Sequence, residues 1–132
     1  MDVEQALYER LKTQVTAVSN RVSAAPAPDS WPVPLVTYQL ISGALMVTAG
    51  GVQAWWQPIF QVTVWAATYE SMMAVVAQVR AALSGWRAVF NPGALTIEFA
   101  WIDTQRDLQD ATIDPPLIGR AFDVIVSCEG GG

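Results

Sequence analysis

Ile59-Phe60-Gln61-Val62-Thr63-Val64-Trp65-Ala66, followed at Thr68 by the run Tyr69 to Ser84 and then Gly85, is the stretch on which the fold turns. Pro58 to Ala67 reads as a strand. Phe60, Val62 and Val64 fall on one face, and Ile59, Gln61, Thr63 and Trp65 on the other, the period of two that a pleated strand imposes. Across Thr68 the period changes. Met72, Val75, Val76, Val79 and Leu83 now share one helical stripe, because residues three and four apart stack on one side of a helix. Thr68 is placed to cap the first turn. Gly85 supplies the left-handed residue after the last turn, with Trp86 folding back on it. A strand that runs directly into an amphipathic helix puts both elements on one core.

Working outward, Val3, Leu7, Leu11, Val15, Val18 and Val22 are spaced as one helical face over Asp2 to Val22. Asp2 with Gln5 three residues later resembles a capping box. Ala25 to Pro34 carries four prolines, so residues 23–34 form a stiff extended connector. Leu35 to Ser42 reads as a strand with Val36, Tyr38 and Leu40 on one face. Beyond the second helix come a turn at Asn91-Pro92-Gly93 and a strand in which Leu95, Ile97, Phe99 and Trp101 alternate with Thr96, Glu98 and Ala100. A polar loop, Asp103 to Gly119, then leads to a last strand with Phe122, Val124, Val126 and Cys128 on one face. Residues 130–132, all glycine, form a flexible tail. The order is α-β-β-α-β-β in a single domain, residues 1–132. The expected fold is α+β, with two helices on one face of a four-stranded, largely antiparallel sheet whose other face and edges remain available to neighbours.

Composition narrows the function classes. The 132 residues are 52% apolar and only 14% charged, against about 25% charged in an ordinary soluble domain. Seven basic residues, of which only Lys12 is a lysine, face twelve acidic ones for a net charge of −5, which argues against a nucleic-acid binder. No charge occurs between Asp29 and Glu70. Within that desert, Gln39, Ser42, Thr48, Gln53 and three glycines interrupt the apolar run, so Pro34 to Trp56 does not read as a transmembrane helix. The acidic start lacks the apolar core of a signal peptide. The single Cys128 has no partner for an internal disulfide.

Catalytic chemistry has few candidates. The chain holds no His, hence no imidazole base and no His metal site, and no phosphate-cradling glycine loop. Asp103, Asp107, Asp110 and Asp114 lack the spacing of a calcium loop. No catalytic, metal or cofactor site is expected, and the chain does not read as an enzyme. Of the six Trp, Trp65, Trp86 and Trp101 fit core positions. Trp55 and Trp56 are adjacent, so they cannot both face one core in an extended segment. They sit in Gly43 to Gln57, which either extends the strands with a turn at Gly50-Gly51 or forms a projecting hairpin arm at 43–57. The arm reading makes Leu45, Met46, Val47, Val52, Trp55 and Trp56 contact residues. Arg80, Arg120 and Asp123 are solvent-facing charges or, for Arg120 and Asp123, members of an ion pair within or between subunits.

Val3-Glu4-Gln5-Ala6-Leu7-Tyr8-Glu9-Arg10-Leu11, Tyr38-Gln39-Leu40-Ile41-Ser42, Gln61-Val62-Thr63-Val64-Trp65-Ala66, Val79-Arg80-Ala81-Ala82-Leu83-Ser84-Gly85-Trp86 and Arg120-Ala121-Phe122-Asp123-Val124 together resemble the tail-completion or tail-terminator proteins of long-tailed bacteriophages and prophages. The resemblance covers nearly the whole chain in order. It implies a virion subunit that forms a homo-oligomeric ring, usually a hexamer, at the head-proximal end of the tail. Such a ring stops polymerisation of the tail tube protein and joins the tube to a head-completion or stopper protein. Assembly takes place in the host cytoplasm, with no membrane partner. DNA is only cargo passing through the lumen, and Asp107, Asp110 and Asp114 are candidates to line it, since an acidic wall avoids trapping phosphates. The charge-free second strand and the Trp55-Trp56 pair depart from the family pattern. The residues leave open another head–tail connector or a tube component, and a small Trp-rich ligand-binding module. Phage, prophage and gene-transfer particle are equally open.

Overall fold

The computed structural model describes residues 2–43, 45–47, 53–90, 95–110, 112 and 116–130, with the backbone path alone for 45–47 and 53–54. Helix α1 spans Val3–Gln14, and the Asp2 side chain accepts the Gln5 N–H at 2.8 Å. The helix expected to reach Val22 stops at Gln14. A short 3-10 turn, Thr16–Val18, follows, and Ser19 and Asn20 then adopt positive φ of 49° and 67°, a left-handed bend that no helix continues through. Val15, Val18 and Val22 are nonetheless buried. Their spacing records a shared core, not a shared helix.

Strand β1, Val22–Ala24, runs parallel to β2, Leu35–Ser42. β3, Leu45–Val47, continues the line of β2, and β4, Gln53–Trp56, precedes β5, Ile59–Ala66, on the neighbouring line. Helix α2 covers Tyr69–Leu83, followed by β6 (Ala88–Phe90), β7 (Leu95–Asp110) and β8 (Leu117–Gly130). Among the described residues the sheet therefore has eight strands instead of four. A register shift between Leu40 and Ser42 and the step at Gln57-Pro58, where Val126 N–H donates to the Pro58 carbonyl at 3.0 Å, divide two long lines into shorter strands. The connectors add β1 and β6 at the margins. The α+β class with two helices stands.

The expected polar loop 103–119 is largely strand. β7 and β8 pair continuously from Thr104↔Asp123 to Asp110↔Leu117. From Thr104 to Asp110 every side chain but Leu108 is polar, on both faces, so no alternation announces a strand. The pairing follows instead from β8, which lies between β5 and β7 and presents its backbone groups to both. Register shifts at Ile97/Phe99 and Ile102/Thr104 mark bulges. An extra residue reverses the phase of the strand beyond it. Leu95, Ile97 and Ala100 are thus buried on the helix side, while Phe99 is exposed.

Both helices lie on one face. α2 packs on β5, β7 and β8, and α1 on α2 and β1. Thr68 Oγ1 caps α2 by accepting the Ser71 N–H at 3.1 Å. Gly85, at φ 74°, ends it and donates its N–H to the Ala100 carbonyl at 2.9 Å. Leu7, Leu11, Val76, Val79 and Leu83 meet Phe60, Val62, Val64, Phe122 and Val124 in the buried core, each full burial contributing about 1.5–3 kcal/mol before ordering costs. Arg10 donates to the Ala82 carbonyl at 2.9 Å and lies over the buried Trp86 ring. Among the described residues no helix is long and apolar enough to cross a membrane.

Candidate functional site

With both helices on one side, the other face of the sheet carries, among the described residues, only the connector. Its side chains form rows across the registered strands. Ile59, Ile125 and Trp101 make one row, with Trp55 and Phe99 beyond it. Gln39, Gln61, Asp123 and Thr104 make the next. Thr37, Thr63, Ala121 and Arg106 follow, and then Leu35, Trp65, Gly119 and Leu108. The face is apolar at both ends and polar across its middle. Gln39 donates to Gln61 at 3.3 Å, and Thr104 Oγ1 donates to Asp123 Oδ2 at 2.8 Å. Asp123 Oδ1 has no hydrogen-bond partner among the described residues, and Arg106 Nη1 stands 3.8 Å from it.

At one apolar end the connector folds over the face. Ala25 N–H donates to the Tyr38 carbonyl at 2.9 Å, and Arg21 Nε to the Pro34 carbonyl at 3.0 Å. Beneath the connector lies an open groove of about 660 Å³, walled by Pro26, Pro28, Trp31 and Val33 and floored by Thr63 and Trp65. The Trp65 ring rests against Gly119, where a Cβ would stand 2.9 Å from the ring and 2.7 Å from the Val64 carbonyl. Leu108 and Leu117 close the far wall, and Asp29 and Asp110 are the charged residues among the described lining. Asp110 accepts both the Thr112 hydroxyl, at 2.6 Å, and its N–H, at 3.0 Å. These bonds hold its carboxyl below the usual range, so it is ionised at neutral pH.

The opposite end presents Phe99 and Trp101, ring centroids 6.0 Å apart. Arg87 lies 5.7 Å above the Phe99 ring, a cation–π distance. Val89 of β6, opposite Thr96, is 74% exposed and Phe99 40%. β7 pairs with β6 only from Leu95 to Ile97, so from Glu98 to Asp110 its outer edge meets no described strand. An open edge is a template for pairing.

The residues singled out by sequence fall in several places. Trp56 is 5% exposed, packed in the core with its Nε1 donating to the Gly130 carbonyl at 3.1 Å. That corrects its assignment to an interface. Its neighbour Trp55 turns to the open face, half-buried, and donates to Ser127 Oγ at 2.7 Å. Within 43–57, the described strands β3 and β4 pair with each other, with Leu45 opposite Trp56, and Trp56 joins the sheet opposite Cys128. The expected turn at Gly50-Gly51 lies outside the described residues. Val52 and Asp114 lie outside the described residues, as do the side chains of Leu45, Met46 and Val47. Residue 130, assigned to the tail, ends β8.

Arg120 and Asp123 do not meet each other. Three positions apart on a strand, they project to opposite faces. Arg120 donates to Asp107 at 2.7 Å on the helix side, which raises the guanidinium pKa, while Asp123 faces Arg106. By the same parity Asp107 and Asp110 leave β7 on opposite faces, so they do not line a common wall. Arg80 donates to Gln105 at 2.6 Å. Cys128 is buried, and desolvation, helped by Glu98, pushes its thiol up to about 12. Sequence reasoning missed the groove. Its one local signal was Gly119, since a glycine within a strand marks close approach of another group.

Among the described residues no three metal-type side chains converge, and nothing pairs a nucleophile with a base. The geometry offers surfaces for assembly. Compared with known families, residues 5–114 match the one described as Tail completion protein gp17. Among solved structures, a chain from the virion of a native gene transfer agent (GTA) particle is similar in fold. It has a TM-score of 0.76 and 18% identity, over 98% of this chain and 96% of that chain. Comparison with curated protein sequences gives no match.

Proposed function

From the premise that the chain belongs to the tail completion protein gp17 family, a family of structural phage-tail proteins and not of enzymes, we propose that its copies close into a ring. The ring sits on the head-proximal end of a tail tube, ends tube polymerisation and presents the surface that a head-completion protein joins. Six is the copy number implied by the resemblance to tail terminators. The observation that carries this reading is the sheet face free of helices, apolar at both ends and polar across the middle. Such a face is stable only when a neighbour covers it or solvent wets a modest apolar patch. The surfaces at its two ends differ from each other. Contacts between unlike surfaces are heterologous, and heterologous contacts generate rings when the rotation closes.

The likeness to a chain of a gene transfer agent virion supports a place in a phage-like particle. The stretch from Glu98 to Glu129 carries seven acids and two arginines, and both arginines are engaged by carboxylates. The β7–β8 hairpin is therefore the segment suited to face passing DNA, with the exposed Asp107 on it.

Negative-stain microscopy of the purified protein tests the reading. Discrete rings, or subunits that gather only on tube ends, support termination. Open tubes of the protein itself favour the second reading, a tube subunit, which the same uncovered face and open β7 edge also allow.

A further inference from the structure

The two apolar ends of the open face lie at opposite ends of β7. From Phe99 to Leu108 is nine residues, or roughly 30 Å of strand. One end is concave and acid-rimmed. The charges on its described lining are Asp29 and Asp110, and its walls are Trp31, Trp65 and prolines. The other end carries an arginine, Arg87, standing on the Phe99 ring, with the exposed Val89 two residues on. Among the described residues no carboxylate lies within ion-pair distance of Arg87, although Glu98 follows closely on β7. By contrast, Arg106 and Arg120 are each matched to a carboxylate, and Arg10, Arg21 and Arg80 each donate to an oxygen within the chain.

We propose that the Arg87–Val89–Phe99 knob of one copy seats in the connector groove of the next, with Arg87 meeting Asp29 and Asp110. The apolar ring and branched side chain enter the slot between the prolines and Trp65. The guanidinium reaches the two carboxylates at its rim, a charge-assisted contact that fixes orientation. Knob and groove do not overlap, so every copy uses both at once, head to tail. This inference rests on the ring reading for its closure, but the contact itself is testable apart from it.

The experiment is native mass spectrometry with negative-stain imaging on four samples: wild type, Arg87→Asp, Asp29→Arg/Asp110→Arg, and a one-to-one mixture of the two variants. Alone, each variant sets like charges against each other, and the oligomer is lost with association weakened at least about tenfold. In the mixture both contacts regain opposite charges. The carboxylate that Arg87→Asp introduces on the knob meets the arginine-rimmed groove, and the unaltered Arg87 of the groove variant meets the native groove. Assemblies reappear with the two variants alternating. Asp29→Arg alone, at an exposed position, serves where the double variant fails to fold. Variants that assemble as well as wild type overturn the contact. So does a mixture of folded monomers that stays monomeric, or wild type that is monomeric in solution. Open tubes in wild type and mixture, lost in each variant alone, support the contact while refuting the closed ring.

Discussion

Replacing Gly119 by alanine is the sharpest probe of how the open face is built. Gly119 sits in β8 opposite Trp65 of β5 and opposite Leu108 of β7. Its φ lies outside the left-handed region, so the methyl group brings no backbone strain. The difficulty is space. A Cβ stands 2.7 Å from the Val64 carbonyl oxygen, which the sheet holds in place, and 2.9 Å and 3.1 Å from two carbons of the Trp65 ring. Overpacking of this kind costs about 1–3 kcal/mol, while the less flexible unfolded chain returns about 0.4–1 kcal/mol. The net loss is about 1–2 kcal/mol. For a chain of this length that lowers the melting temperature by roughly 4–7 °C. Urea unfolding followed by Trp fluorescence reads both the stability and the displacement of Trp65, whose emission shifts as the ring lifts off β8. A variant as stable as wild type, with unchanged emission, refutes the close packing of Trp65 on Gly119 and with it the floor of the groove.

Trp56→Ala removes a 5%-exposed indole and its bond to Gly130, and thermal unfolding should record a loss of about 3–5 kcal/mol. Trp55→Ala removes a half-buried ring held through Ser127. The chain stays folded by circular dichroism, about 1–2 kcal/mol weaker, and tail-joining efficiency falls. The buried Cys128 thiol ionises at about 12 in the folded chain, against about 8.5 when unfolded. Its contribution to stability is whole below that lower value and is lost as pH rises toward the upper one. The slope reaches about 1.4 kcal/mol per pH unit. Denaturant titrations at alkaline pH should show this slope, and Cys128→Ala should flatten it.

What could be read from residues alone was what local periodicity encodes. The change from period two in Ile59 to Ala66 to a helical stripe after Thr68 is a local property, and the cap and the Gly85 stop are local as well. The same holds for the faces of β8, where Phe122, Val124 and Val126 are buried as their alternation requires. Long-range effects were not legible. Val15, Val18 and Val22 keep helical spacing across a 3-10 turn and a left-handed bend because one core gathers them. Thr104 to Asp110 became a strand through pairing with β8, a partner its own polar side chains do not announce. The bulge after Ile97 exchanged the faces of Phe99 and Ala100, and a single inserted residue leaves no mark on composition. Trp55 and Trp56 were legible as a pair pointing two ways. Which of them entered the core was decided by Cys128 and Gly130, more than seventy residues away in sequence.

Termination itself is the central claim, and tube length measures it. Purified tail tube protein polymerised alone and with graded amounts of this protein, then imaged by electron microscopy, gives length distributions and end densities. The account predicts tubes that shorten as the protein is added, each carrying one ring-shaped cap at a single end. Tubes of unchanged length without caps, or tubes into which this protein is incorporated along the wall, contradict it.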